Sequence, residues 1–255
     1  MVVKLSQLPP WPFMVGATIL KPVLLPLASR TWIGTEHVPR KGGCVLAANH
    51  ISHIDPLTMA HFVYDQGRVP RYLAKAALFK NRALGAFLSA AGQIPVERLS
   101  RNAVGAYAAA VQAVEQGECV VVYPEGTLTR DPDMWPMVGK SGVARIALET
   151  GCPVIPVGQW GAHEILPPYS KTPHLVPRKH IAMKAGPPID LSDLLDRRRE
   201  QAAINEARAR IMSAITGLVA ELRGENPPPE PYDPRRAKRA AKKAGKAGKA
   251  KDGDD

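Results

Sequence analysis

Cysteine, aromatic residues and unbroken apolar stretches are all scarce in this chain of 255 residues. The three cysteines sit in "GGCVLAA", "GECVVVY" and "TGCPVIPV", each in or beside a strand-like apolar run. An odd number without disulfide or metal-ligand spacing reads as small buried hydrophobes in a reducing compartment. Neither Cys/His spacing nor an HExxH pattern is present, so no metal site is expected. Aromatics make up 5% of the chain, which leaves few stacking platforms for bases and argues against a nucleic-acid partner. There is no internal repeat. No GxSxG elbow supplies a serine nucleophile. The "GKSG" at Gly139 to Gly142 is not a phosphate-binding P-loop, because that motif needs glycine where Met134 stands.

No apolar run is a convincing membrane span either. "WPFMVGATILKPVLLPLAS" is nearly apolar from Trp11 to Ser29, but Lys21 falls in its middle and Pro22 and Pro26 interrupt the backbone ladder. It also lacks the regions of a secretory signal. Residues 1–30 are therefore read as a membrane-associating helical segment lying in the interface, with Trp11 as anchor; the alternative is an N-terminal helix packed on the core.

What is present is positive charge and a regular alternation. The formal net charge is +11, of which residues 225–255 contribute +3, so the body is basic as well. A basic body suggests an anionic partner: a phosphate-bearing substrate, an acidic lipid surface or nucleic acid. Residues 225–255, rich first in proline and then in Lys, Ala and Gly, read as a disordered basic tail.

Between these ends, short β-type runs ("CVLAA", "RYLAK", "IPV", "CVVVY", "PVIPVG", "HIAMKAG") alternate with helical segments closed by Gly117, Gly151 and Gly224. The last helix aligns Ile204, Ala207, Ile211, Ile215, Leu218 and Leu222 on one face. The pattern predicts an α/β domain over residues 31–224, a largely parallel or mixed central sheet flanked by helices.

In such sheets functional groups gather on loops at the carboxyl ends of strands, and four of these loops are chemically unusual. In "NHISHID", Asn49, His50, His53 and Asp55 crowd the point where a buried strand gives way to a helix. Asp55 precedes a proline, where an N-cap carboxylate would sit. A tight turn could instead bring Asp55 back to one ring nitrogen of His50, making a His–Asp dyad. "GQIPVER" ends a strand on Arg98. "YPEGTLTR" places Glu125, Gly126 and Thr127 in a turn, followed by Arg130, with glycine admitting close approach of a ligand and arginine suiting phosphate. "VIPV" sets Pro156 inside a strand, where proline needs an edge or a bulge.

Taken together, these loops resemble the glycerolipid acyltransferase family that includes 1-acylglycerol-3-phosphate acyltransferase. That family carries an NHxxxxD motif, a strand-ending Arg motif, an FPEGTRS-type motif and a proline-bearing hydrophobic strand, in the order seen here. The match runs from about Cys44 to Val157, with "KAGPPI" similar to a closing strand.

The resemblance implies transfer of a fatty acyl group to lysophosphatidic acid. The donor would be acyl-CoA or acyl-acyl carrier protein, a co-substrate rather than a cofactor. His50 would be the general base and Asp55 its support. Arg98 would bind phosphate, while Glu125, Gly126 and Thr127 would form the acceptor loop. The family's arginine after "EGT" is Leu128 here, so Arg130 or Lys140 would serve in its place, with Lys75 a weaker basic candidate. The departure leaves open another lysophospholipid or a glycolipid as acceptor. Outside enzymes, the alternative is a basic membrane or nucleic-acid binding protein resting on the tail. The expected location is the cytoplasmic face of the cell membrane, peripheral or monotopic.

Overall fold

Strands rich in Val, Ile and Ala with no polar face can settle only where both faces are covered, and that arrangement organises the molecule. The computed structural model describes residues 28–96 and 103–239, with Trp11, Met14, Val15 and Thr18. The expected N-terminal membrane segment therefore lies almost wholly outside the described residues.

Seven strands form one sheet: β1 (Ala28–Ile33), β2 (Cys44–Ala48), β3 (Pro70–Lys75), β4 (Ile94–Val96), β5 (Cys119–Val122), β6 (Val154–Trp160) and β7 (Lys179–Ala185), in the order β1-β7-β6-β2-β5-β3-β4. β6, β2, β5, β3 and β4 run parallel; β7 pairs antiparallel with β6, and β1 lies parallel to β7. The sheet is thus mixed. The connection from β6 to β7 carries only a short helical turn, Ala162–Ile165, and stays at one end of the sheet, so the chain reverses without a crossover. β1 begins at Ala28, inside the stretch 1–30 read as an N-terminal segment. Its polar "SRT" on an edge strand masked the β pattern.

Among the described residues five helices of nine residues or more flank the sheet: α1 (Asp55–Asp65), α2 (Arg82–Ala90), α3 (Ala103–Glu115), α4 (Gly142–Thr150) and α5 (Gln201–Arg223). Alternate strand residues feed two cores. Val45, Ala47, Val120 and Val154 pack with Ala110 of α3, Ile146 of α4 and Ile211 and Ile215 of α5. Leu46, Ala48, Val121 and Ile155 pack with Met59, Phe62 and Val63 of α1. Each fully buried aliphatic side chain contributes about 1.5–3 kcal/mol, and the two layers hold the central strands level. α5 buries the face expected for it except Leu222, which is half-buried. It approaches β6 so closely that a Cβ on Gly158 would lie 2.8 Å from that of Leu218. The region after Gly224 is described to Arg239, and its Tyr232 carbonyl accepts from the Val138 N–H on the body.

Pro156 stands within β6, between β2 and β7, and the bulge is on its neighbour. Pro156 O accepts from Gly186 N at 2.9 Å and Val154 O accepts from Ile189 N, one residue out of the β6–β7 register. Pro187 and Pro188 bow the chain away where Pro156 offers no N–H.

Candidate active site

The carboxyl ends of β2 and β5 are neighbours at the middle of the sheet, and "NHISHID" and "YPEGT" leave it there side by side. His50 lies two residues beyond β2. Its Nδ1 is 2.8 Å from Asp55 Oδ2, and the same oxygen accepts the backbone N–H groups of Ile51 at 2.7 Å and Ser52 at 2.8 Å. Asp55 is completely buried, while the His50 side chain keeps 13% of its surface exposed. An acceptor already taking two N–H donors is suited to a third, so Nδ1 carries the hydrogen and Nε2 presents its lone pair outward.

The helix-cap reading of Asp55 does not describe this turn. Asp55 is the first residue of α1; the cap is Ile54, with no side-chain cap bond, and the carboxylate turns back toward residues 50–52. Asp55 Oδ1 is buried with no hydrogen-bond partner among the described residues. The imidazole lies on the ring of Tyr123 at 4.2 Å with 19° between planes. Burial pushes the Tyr123 hydroxyl well above the ordinary phenol range, so the shelf beneath the histidine is neutral.

The backbone of His50 is gripped from both sides by the loop after β5. Its N–H donates to Glu125 Oε1 at 2.9 Å, and its carbonyl accepts from Thr129 N at 2.8 Å. Glu125 Oε2 accepts from Met137 N at 3.1 Å. The Glu125 carboxyl is pushed up to about 8, chiefly by burial, against the lowering effect of the two backbone donors and with the negative charge of Asp55 adding to the rise.

Gly126 has φ +70, a left-handed conformation that favours glycine, and a Cβ there would lie 2.5 Å from Lys140 Nζ. The Lys140 ammonium thus covers the turn. Thr127 is half-buried beside it, Leu128 is buried, and Arg130 is exposed. Arg98 lies outside the described residues. His53 is exposed, and His61 faces Asp65 and Trp32 instead of the dyad. Lys75 closes β3.

Three supports went unread in the sequence. Asn49 Oδ1 accepts from Gln159 N at 2.9 Å, its Nδ2 donates to Gln159 O at 3.0 Å, and Gln159 Nε2 donates to Asn49 O. A glutamine in the otherwise apolar "PVIPVGQW" was the available signal. Tyr123 was hidden as the last residue of an apolar run. The guanidinium of Arg223 lies 4.0 Å from the ring centre of Trp135 and 4.5 Å from that of Trp160, and donates to Asp133 O at 2.7 Å. It pins the 131–137 segment that presents Met137 N to Glu125.

Chemically, the arrangement is a braced base, with a cation over the turn that follows Glu125. A hydroxyl meeting Nε2 would lose its proton on attacking an electrophilic carbonyl, and Lys140 would favour an anionic group nearby.

Residues 29–160 match the family model described as Acyltransferase, just over half of the chain. A 1-acyl-sn-glycerol-3-phosphate acyltransferase of Borreliella burgdorferi is 34% identical over 125 residues, 49% of this chain and 48% of that protein. The chloroplastic enzyme BAT2 of Brassica napus, of the same name, is 30% identical over 136 residues, 52% of this chain and 38% of that protein. The match therefore spans less than half the length of these two relatives. A 1-acyl-sn-glycerol-3-phosphate acyltransferase of Bacillus subtilis is 26% identical over 177 residues, 68% of this chain and 80% of that protein. The crystal structure of the 1-acyl-sn-glycerophosphate acyltransferase PlsC from Thermotoga maritima shares the fold, with a TM-score of 0.64 at 21% identity over 85% of this chain and 81% of that one.

Proposed function

Because the chain belongs to the acyltransferase family, we propose that it moves a fatty acyl group from an acyl thioester to the free hydroxyl of 1-acylglycerol-3-phosphate. The product is phosphatidic acid, in phospholipid biosynthesis. The observation that carries this reading is the 2.8 Å contact of His50 Nδ1 with an Asp55 oxygen that is itself held by two backbone N–H groups. His50 Nε2 removes the acceptor's hydroxyl proton as that oxygen attacks the thioester carbonyl. Asp55 fixes the tautomer and stabilises the imidazolium. The tetrahedral intermediate then collapses, the carbon–sulfur bond breaks, and the proton passes to the departing thiolate. A positioned base of this kind contributes about 10²–10⁴-fold. Acyl-CoA or acyl-acyl carrier protein is the co-substrate, and the reaction as written uses no cofactor.

In this reading Lys140, over the Gly126 turn, meets the acceptor's phosphate; Arg98 is assigned the same task from the family motif. Glu125 holds the His50 backbone in place and, with Thr127, lines the acceptor loop. Leu128 is buried where the family carries arginine, and this favours a second reading, a lysophospholipid or glycolipid acceptor with another headgroup. The enzyme works at the cytoplasmic face of the membrane as a peripheral or monotopic protein. Among the described residues no helix is long and apolar enough to cross a membrane.

The test is thiol release from acyl-CoA with and without lysophosphatidic acid, in wild type and His50→Ala. Release that depends on the acceptor and drops by about 10²–10⁴-fold in the variant is expected. Release undiminished in His50→Ala would place the base elsewhere. Release only with a neutral glycolipid acceptor would select the second reading.

A further inference from the structure

Among the described residues, two that are not glycine hold a left-handed backbone, Met134 at φ +62 and Tyr169 at φ +64. Such positions are uncommon for bulky side chains and gather where a site holds strain. Both border the grip on His50. Met134 lies in the 131–137 segment next to Trp135, whose carbonyl accepts from Thr129 Oγ1 at 2.8 Å. Tyr169 lies in the β6–β7 connection over residues 161–178, in a turn closed by Ser170 N donating to Pro167 O at 3.1 Å. Pro168 suits the second position of that turn. The third, with its positive φ, is where glycine or asparagine usually stands, and here it holds Tyr169. Burial does not explain the tyrosine, because the residue is 59% exposed. What it makes there is a pair of hydrogen bonds.

The Tyr169 hydroxyl donates to Leu128 O at 3.0 Å and is shared with Thr129 O at 3.2 Å. The first acceptor belongs to the peptide group joining Leu128 to Thr129, and the N–H of that same group donates to His50 O at 2.8 Å. A peptide group is planar, so a hold on its carbonyl also aims its N–H. Three residues earlier the connection reaches the other half of the dyad. Ser52 Oγ donates to Leu166 O at 2.7 Å, while Ser52 N donates to Asp55 Oδ2 at 2.8 Å. Ser52 is completely buried. Residues 166–169 thus bracket the dyad, with one arm on the peptide that holds His50 and one on the residue that holds Asp55. The bracket is closed behind by His174 N, which donates to Ile165 O at 2.7 Å.

We propose that Tyr169 is a positioning residue for His50, acting through the Leu128–Thr129 peptide, with Ser52 and Leu166 as the second arm of the same bracket. This rests on the proposed function, since the hydroxyl's task is to keep His50 Nε2 aimed at the reacting hydroxyl, where small misplacements cost rate. The role is separate from reading the acceptor, and it assigns Tyr169 no contact with substrate. It also gives the residue after "EGT" a task that needs no charge. Leu128 offers its carbonyl to the bracket while its side chain is buried.

The experiment compares the full chain with its Tyr169→Phe, Ser52→Ala and double variants, each first checked for its thermal midpoint. One readout is steady-state thiol release from acyl-CoA with lysophosphatidic acid. The other is amide hydrogen exchange by NMR without substrate. Tyr169→Phe keeps the ring and the turn and loses only the hydroxyl. It should lower kcat by about three- to tenfold, the worth of one hydrogen bond, with KM for lysophosphatidic acid within about twofold. Exchange of the Thr129 amide should speed by a similar factor, while that of Val121 in β5 stays unchanged. Ser52→Ala should show the same split between kcat and KM. The double variant should lose less than the product of the two, because both arms share one bracket. If Ser52→Ala fails to fold, Tyr169→Phe decides alone. A Thr129 amide exchanging at the wild-type rate in Tyr169→Phe would overturn the proposal, as would an unchanged kcat. A loss confined to KM would overturn it too, giving the hydroxyl to acceptor binding. If wild type releases no thiol while Thr129 exchange still responds to Tyr169→Phe, the reaction is misassigned and the bracket on the His50 backbone stands.

Discussion

The side chain of Asn49 completes the sheet where its own strand stops. Its amide accepts from the N–H and donates to the carbonyl of Gln159 on the neighbouring β6, and the Gln159 side chain donates back to the Asn49 carbonyl. Backbone pairing between β2 and β6 is thus replaced for one step by side-chain pairing. The main chain is free to turn away at His50 without leaving buried polar groups unpaired.

Replacing Asn49 with leucine leaves the buried N–H and carbonyl of Gln159 without these partners. Each such group costs about 1–3 kcal/mol. A lower urea midpoint with unchanged m-value is expected, together with a fall in activity from a misplaced His50. An unchanged midpoint would show that the Gln159 backbone finds another partner.

Glu125 sets a pH dependence of stability. Its folded-state pKa of about 8 lies above the ordinary 4.5, so the folded form holds a proton that the unfolded form has lost between these values. The stabilising contribution of the protonated carboxyl is complete below about pH 4.5 and is lost as pH rises through about 8. Urea midpoints for wild type should decline across that window relative to Glu125→Gln, which cannot titrate. Parallel profiles for the two proteins would refute the assignment.

Tyr123 supports His50 by its ring face. Tyr123→Phe keeps the stacking surface, and thiol release should stay within a few-fold of wild type. Tyr123→Leu removes it, and since aromatic pairs contribute about 0.5–1.5 kcal/mol beyond area burial, kcat should drop roughly two- to tenfold more than in the phenylalanine variant. Equal losses in both would give the role to the hydroxyl.

Lys140 distinguishes the acceptors. A charge-assisted hydrogen bond to phosphate is worth about 1.5–3 kcal/mol, so Lys140→Met should lower kcat/KM for lysophosphatidic acid by roughly 10–100-fold. Activity with an uncharged acceptor should not move. Equal effects on both acceptors would mean that Lys140 shapes the Gly126 turn and does not read the phosphate.

Much of this was legible in order along the chain. The buried strands read as continuous apolar runs because both sheet faces are covered, and α3, α4 and α5 end at the glycines that mark them. Strand β1 was missed because an edge strand with one solvated side carries too few apolar residues to stand out. The strand from Lys179 was seen, but its direction was not, since antiparallel pairing depends on where a long connection lies. The spacing of His50 and Asp55 suggested a dyad and equally a helix cap, and the two differ only in which way one carboxylate turns.

By itself the sequence determined the layers, the order of the motifs along the chain and the residue types in the loops after β2 and β5, since these follow from local periodicity and turn chemistry. Tertiary structure alone decided what surrounds His50. Glu125, Tyr123 and Thr129 come from the neighbouring strand's loop, Gln159 comes from the other neighbour, and Lys140 reaches over from the far side of the 123–141 loop. Strand order and register set those meetings, and the energies that choose them come from burial and pairing across the whole sheet.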